Sequence, residues 1–274
     1  TLKVATLHPL ITDVARQVAG QHADVVQLID PHANPHDFEP PPKALVRAKG
    51  AKLYLASGKN LETYLDKLRN TLGNEAKLVE VGRTIPSQTI SERDSHYVCC
   101  PKHTYGSVDP HWWHRVSNMQ KAARVIAKEF AAADPVNASA YKANAAAYSK
   151  RLSVLNTWIK REVSRIPRKN RILSTAHAAF GYFCNEYGFR PLPIKGLTAH
   201  QKTSASYQAK VIQEIRKHQI KAIFPELRAN PKSLRIIAEE AGIKIGGTLV
   251  ADGAPNYEKM MRDNVNLIVS ALSQ

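Results

Sequence analysis

The sequence predicts an α/β protein of two lobes, each a mainly parallel sheet flanked by helices, with one long helix that joins the lobes. Two observations predict this fold. Strand-like and helix-like segments alternate in the first and last parts of the chain, and a helical stretch without Gly or Pro, residues 137–166, lies between them. Such alternation is typical of parallel sheets covered by helices.

The first lobe begins with a short apolar strand at residues 2–7. Its periodicity then predicts a helix at 11–19, a strand at 25–29, a helix at 40–49 with proline at its start, a buried strand at 53–56, and helices at 61–70 and 113–132. Periodicity fails between residues 82 and 110, where polar residues and two adjacent cysteines are frequent. We therefore predict an exposed loop there.

The central helix carries Leu152, Leu155 and Ile159 at helical spacing. Around thirty helical residues would extend about 45 Å, which is more than one small domain needs, so we predict that this helix joins the lobes. The elements predicted after it are strands at 171–174, 222–224 and 245–249 and helices at 180–187, 206–218, 231–241 and 257–270. Both lobes are thus Rossmann-like, with boundaries at 1–135 (first lobe), 136–166 (joining helix) and 167–274 (second lobe).

Composition and charge exclude some classes of protein. No run of about 18 apolar residues is present, so we predict no membrane-spanning helix. Residues 1–10 are typical of an opening strand rather than a targeting segment, and a chain from which an export signal had been removed would have the same start. The formal net charge is +16, but Lys and Arg occur singly, as at 210–221, without a basic block or interleaved aromatic residues. This pattern favours solvated helix faces over a nucleic-acid site, and it leaves binding to an anionic surface open.

Four short segments each offer one metal ligand. They contain His36 in N-P-H-D-F-E-P, His111 in D-P-H-W-W, His177 in S-T-A-H-A-A-F-G-Y-F and Asp252 in V-A-D-G. Three imidazoles and one carboxylate suit a buried zinc-like ion, and their wide spacing differs from the compact spacing of a zinc finger. Taken singly, each has another interpretation: a solvated turn residue for His36, a residue beside two tryptophans that pack into a core for His111, a packed core histidine for His177 and a turn cap for Asp252.

Five segments carry a resemblance to a known family: P-H-D-F-E-P (35–40), D-P-H-W-W (109–113), T-A-H-A-A-F-G-Y-F (175–183), F-P-E (224–226) and Y-E-K-M-M-R-D-N-V (257–265). In their order and separation they resemble the zinc- and manganese-specific solute-binding proteins of bacterial ABC importers. The resemblance covers essentially the whole chain. It implies a metal held between two α/β lobes, a place in the periplasm or on the outer face of the membrane through a lipid anchor, and delivery to a membrane permease.

The resemblance also implies that His36, His111, His177 and Asp252 are the metal ligands, and it implies neither catalytic residues nor an organic cofactor. Manganese-type members usually have Glu as the third ligand, whereas this chain has His177. Imidazole suits zinc, so we expect Zn²⁺, with Mn²⁺ as the alternative and copper not excluded by ligand type. We expect a monomer whose partners are the ion and the permease, without nucleic acid.

Other functions and a further group of ligands stay open at this point. A zinc hydrolase could use the three histidines with Asp252 as general base, although no H-E-x-x-H motif supports it, and an adhesin could use the positive charge. Glu226 could be an oxygen ligand, orient an imidazole or pair with Arg228 or Arg262. In the loop predicted at 82–110, the residues available for an auxiliary metal site or a disulfide are His96, Cys99, Cys100 and His103, and Cys184 is a further possible disulfide partner.

Overall fold

The structure is a computed structural model that describes residues 1–90, 106–194 and 205–274. These residues form two compact units, each containing a four-stranded parallel sheet. The α/β class with two parallel sheets flanked by helices is therefore confirmed. The first unit comprises Thr1–Pro86, Arg115–Asn156 and Asp252–Met260, and the second comprises Ser87–His114, Thr157–Ala251 and Met261–Gln274.

The first sheet has the strand order β2-β1-β3-β4, and all three neighbouring pairs are parallel. Its strands are β1 (Leu2–Thr6), β2 (Ala23–Gln27), β3 (Leu53–Ala56) and β4 (Lys77–Glu80). Strand β3 lies where the sequence predicts it, because its four residues are all buried. Strand β4 is not predicted by the sequence, since it lies at the sheet edge and only Val79 in it is buried.

Helices cover the first sheet. Three of them are α1 (Pro9–Ala19), α2 (Pro42–Arg47) and α3 (Leu65–Leu72), and α4 (Val116–Ala133) packs against α1. The long helix α5 (Ala138–Ser164) has 27 residues, of which the part up to Asn156 belongs to the first unit and the remainder to the second. A single continuous helix therefore joins the two units, as the sequence predicts.

The second sheet repeats the topology of the first, with the order β6-β5-β7-β8 and parallel neighbours. Its strands are β5 (Ile172–Thr175), β6 (Arg190–Pro191), β7 (Ala222–Phe224) and β8 (Lys244–Ile245). The helices that follow α5 are α6 (Gly181–Tyr187), α7 (Ala205–Lys217), α8 (Lys232–Ala241) and α9 (Tyr257–Leu272). Apolar residues of β7, α7 and α8, including Ile223, Ile215 and Ile237, form a buried cluster.

Strand β8 is shorter than the predicted strand at 245–249, and two glycines explain the difference. A Cβ atom on Gly246 would lie 2.5 Å from the ring of Phe224, and one on Gly247 would lie 2.4 Å from the side chain of Leu267. The backbone therefore passes too close to β7 and α9 for side chains to continue a regular strand. Pairing resumes only as an isolated parallel bridge between Glu226 and Leu249.

The prediction of an exposed loop at 82–110 is correct only in part for the residues that the structure describes. Arg83, Thr84, Pro86, Ser87 and Thr89 are exposed, but others are not. Ile85, Ile90 and Asp109 are buried, and Thr89 forms an antiparallel bridge with Val108. The possible auxiliary ligands in this loop, residues 96–103, lie outside the described residues. Within the described ranges, no helix combines the length and apolarity needed to cross a bilayer.

The loop after β3 depends on a buried carboxyl group. Glu62 is 5% exposed, and its two carboxylate oxygens accept hydrogen bonds from the backbone N–H groups of Ser57 (2.5 Å) and Gly58 (2.9 Å). Three successive residues of this loop, Gly58, Lys59 and Asn60, have positive φ. The carboxyl group of Glu62 thus stabilises an unusual backbone at the carboxyl end of the sheet.

Burial raises the pKa of Glu62 from 4.5 to about 7, although the two backbone N–H groups oppose the shift. The folded state therefore binds the proton of Glu62 more tightly than the unfolded state does. The protonated carboxyl group contributes its full stability to the fold below pH 4.5, and this contribution is lost as the pH rises through 7. We expect the stability difference between wild type and Glu62→Gln to change by about 3 kcal/mol across this window. Urea unfolding of both metal-free proteins at pH 4.5 and 7.5 measures it, and parallel pH profiles would contradict it.

Candidate metal centre

In the first unit, a tight turn after β2 orients His36. The side-chain oxygen of Asn34 accepts a hydrogen bond from the His36 backbone N–H (3.0 Å), and the backbone carbonyl of Asn34 accepts one from the Asp37 backbone N–H (3.1 Å). The Asn34 amide also donates to the Asp37 carboxylate (3.0 Å). The side chain of His36 is only 5% exposed. The N-P-H-D segment is therefore a turn held by its own hydrogen bonds, and His36 is not a freely solvated turn residue.

Asp252 lies in the same unit as His36, in the segment that precedes α9. The next residue, Gly253, has φ 132°, and a Cβ atom there would lie 3.3 Å from Pro9 and 3.5 Å from His8. His8 and Pro9 follow β1, so the Asp252 segment passes along the carboxyl end of the first sheet. Ligands of parallel α/β sheets bind at this edge.

The side chains of His36 and Asp252 face each other, with His36 Nε2 and Asp252 Oδ1 3.2 Å apart. In a tetrahedral zinc site with ligands at about 2.0–2.1 Å, neighbouring ligand atoms lie about 3.3 Å apart. The observed distance therefore fits two ligands of one zinc ion.

In the second unit, His111 is oriented by the aspartate two residues before it. Asp109 Oδ1 accepts hydrogen bonds from the His111 backbone N–H (2.9 Å) and from its Nδ1 (2.8 Å). The Tyr182 hydroxyl donates to the Asp109 carbonyl (3.0 Å), and the indole of Trp113 packs edge-on to the imidazole at 5.4 Å between ring centroids. His111 is 1% exposed, so this imidazole is held in one orientation.

His177 follows β5, and Glu226 follows the neighbouring strand β7, so both lie at the carboxyl end of the second sheet. Glu226 Oε1 accepts a hydrogen bond from the His177 backbone N–H (2.9 Å), and Oε2 pairs with Nδ1 of the same residue. Glu226 is 3% exposed. The sequence leaves several roles open for Glu226, and these contacts favour the one in which it orients an imidazole, that of His177.

His111 and His177 each have a carboxylate at Nδ1. When Nδ1–H donates to a carboxylate, the lone pair that a metal takes is on Nε2, and the carboxylate makes that nitrogen more basic. The ring centroids of His111 and His177 lie 5.4 Å apart. Two imidazoles bound through Nε2 to one tetrahedral zinc would have centroids about 5.2 Å apart, so this pair also fits a shared ion.

Sequence reasoning missed one partner in this centre. The aspartate of the D-P-H motif, Asp109, is the hydrogen-bond partner of His111, and its position two residues before the histidine is the signal that could have revealed it. The sequence indicates orientation of an imidazole as one of several roles for Glu226, but it does not identify His177 as that imidazole, because the two residues are 49 positions apart.

Comparisons with known proteins identify the family to which the chain is similar. A family profile described as "Zinc-uptake complex component A periplasmic" (ZnuA) matches residues 4–271. The "Manganese-binding lipoprotein MntA" of Halalkalibacterium halodurans is 30% identical over 281 residues, which cover 100% of this chain and 89% of the relative. The "High-affinity zinc uptake system protein ZnuA" of Bacillus subtilis is 29% identical over 279 residues, which cover 98% of this chain and 86% of the relative.

A solved structure supports the fold. The periplasmic zinc binding protein TroA from Treponema pallidum superposes with a TM-score of 0.85 and 24% sequence identity, over 100% of this chain and 99% of that one. At this identity the likeness concerns the fold. The relatives are named for different metals, manganese and zinc, so their names leave the choice of metal to the chemistry of the ligands.

Proposed function

The chain belongs to the ZnuA family of periplasmic zinc-uptake components, and we propose that it captures a divalent metal ion, zinc in preference to manganese, and delivers it to the permease of an ABC importer. The main observation behind this proposal is that the imidazoles of His111 and His177 each pair through Nδ1 with a buried carboxylate. This arrangement is typical of histidines that bind zinc.

We propose that one ion takes four ligands, His36 and Asp252 from the first unit and His111 and His177 from the second. Two observations support this set: the 3.2 Å distance between His36 and Asp252, and the 5.4 Å distance between the rings of His111 and His177. The first distance fits two neighbouring ligand atoms of a tetrahedral zinc site, and the second fits the ring centroids of two imidazoles bound to such a site. The lobe boundaries predicted at 1–135, 136–166 and 167–274 remain a prediction.

Ligand chemistry supports zinc. Three neutral imidazoles and one carboxylate leave a formal charge of about +1 on a zinc site, and the carboxylates of Asp109 and Glu226 lie next to two of the imidazoles. These local negative groups oppose the repulsion that a net charge of +16 exerts on a cation. Manganese prefers more carboxylate oxygen among its direct ligands, and it is the alternative because relatives such as MntA are named for it.

Capture, rather than hydrolysis, follows from the number of ligands. A catalytic zinc usually keeps three protein ligands and one position for water, whereas four protein ligands close the shell. The names of the relatives, which include "periplasmic" and "lipoprotein", support a place outside the cytoplasmic membrane. We propose that the chain acts there as a monomer, in the periplasm or held by a lipid anchor.

A metal titration tests this function. We expect the purified protein, stripped with a chelator, to bind one zinc ion per chain and to keep it against an excess of manganese. Elemental analysis measures the stoichiometry, and competition with a zinc-sensitive dye measures the affinity. Tighter retention of manganese than of zinc would support the manganese alternative, and a chain that binds neither metal would overturn the proposal.

A further inference from the structure

The carbonyl oxygen of Ala251 accepts two side-chain hydrogen bonds within the second unit. Trp113 Nε1 donates to it at 2.9 Å, and His114 Nε2 lies 2.8 Å from it. Because a carbonyl oxygen only accepts, His114 must carry its hydrogen on Nε2. Both side chains and Ala251 are buried, and the two donors occupy both lone pairs of the carbonyl oxygen.

This carbonyl is covalently next to Asp252, one of the four proposed ligands. The carbonyl group and the Cα atom of the following residue lie in one peptide plane. Two donors that fix the Ala251 carbonyl therefore fix the plane in which the Cα atom of Asp252 lies. At the other end of this short segment, the carboxylate of Asp13 accepts a hydrogen bond from the Tyr257 backbone N–H (2.8 Å). The segment 252–256 is thus held at both ends.

The two donors are also close to another proposed ligand along the chain. His111 precedes the short 3-10 turn Trp112–His114, and the indole of Trp113 packs against its imidazole. This turn therefore directly follows one proposed ligand and contacts the residue before a second one. Apolar packing alone, such as that of His114 on Phe180 at 4.5 Å between centroids, requires a ring but no N–H donor.

We propose that Trp113 and His114 are positioning residues for metal capture, which hold the Asp252 carboxylate in its binding position through the Ala251 carbonyl and thereby slow release of the ion. The inference rests on the proposed function, because it takes Asp252 as a ligand. Neither side chain touches the ion in this scheme. Each acts on the peptide that precedes the ligand.

The test compares zinc release from His114→Phe, which keeps a ring but lacks the donor, and His114→Gln, which keeps an N–H donor. Each is made in the wild type and in Asp252→Ala, and release to a fast chelator is followed by stopped flow. We expect His114→Phe to speed zinc release about two- to tenfold, as loss of one hydrogen bond implies, and His114→Gln to restore much of the wild-type rate. In the Asp252→Ala background, His114→Phe should have no further effect.

Equal acceleration in both backgrounds would overturn the inference, because His114 would then act independently of Asp252. Wild-type zinc affinity in Asp252→Ala alone is a separate result that would overturn the proposed ligand set, and this inference with it. Should the melting temperature of metal-free His114→Phe show misfolding, Trp113→Phe provides the same test, since it removes the other donor and keeps an aromatic ring. Unchanged release from that folded variant would likewise overturn the inference.

Discussion

Replacing His177 with alanine is expected to weaken zinc binding by roughly 10²–10³-fold. Zinc held by four protein ligands has apparent binding free energies of about 10–16 kcal/mol, so one ligand contributes on the order of 2.5–4 kcal/mol. The Glu226 carboxylate keeps its hydrogen bond from the backbone N–H of residue 177 in the variant, so the change removes the imidazole alone. Competition of the variant with a chelating dye of known zinc affinity measures the change.

His218→Ala is the matched control for this experiment. His218 also lies in the second unit and also pairs with a glutamate, since its Nε2 is 3.1 Å from Glu214 Oε2, but it is not among the proposed ligands. We expect this variant to bind zinc like the wild type. An equal loss in both variants would show that the effect comes from general destabilisation, and no loss in His177→Ala would remove His177 from the ligand set.

The parts of the fold predicted from the sequence are those where burial leaves a continuous apolar pattern. Strand β3 is one example, and α5 is another, because Leu152, Leu155 and Ile159 face the core at helical spacing. Strands β4 and β6 are not predicted from the sequence. Each lies at a sheet edge and is short or partly polar, so neither periodicity nor length distinguishes it from a loop.

In the candidate site, too, only some of the residues can be predicted from the sequence. The four proposed ligands are His and Asp residues in recognisable motifs, so they can be predicted from the sequence and its family resemblance. The groups that hold them are harder to find. Glu226 is distant in sequence from His177, and the group that Trp113 and His114 contact is a backbone carbonyl, which every residue has. Only the arrangement of the chain in space identifies such partners.

Glu226 is expected to affect zinc binding without touching the ion. Glu226→Leu removes both acceptors of His177, the one for its backbone N–H and the one for Nδ1. Loss of such a partner typically weakens metal affinity about 10- to 100-fold, because the imidazole loses its fixed tautomer, its orientation and part of its basicity. Isothermal competition titration of the metal-free protein with zinc measures the change.

Glu226→Gln distinguishes charge from orientation. The glutamine carbonyl can accept from one of the two N–H groups of His177, but its amide then faces the other as a second donor. We therefore expect a zinc affinity between those of wild type and Glu226→Leu. Glu214→Gln, which alters the His218–Glu214 pair, is expected to leave zinc affinity unchanged. If Glu226→Leu bound zinc as tightly as the wild type, the Glu226 carboxylate would be a structural anchor for the His177 backbone alone. The tautomer of His177 would then be set by the metal rather than by the protein.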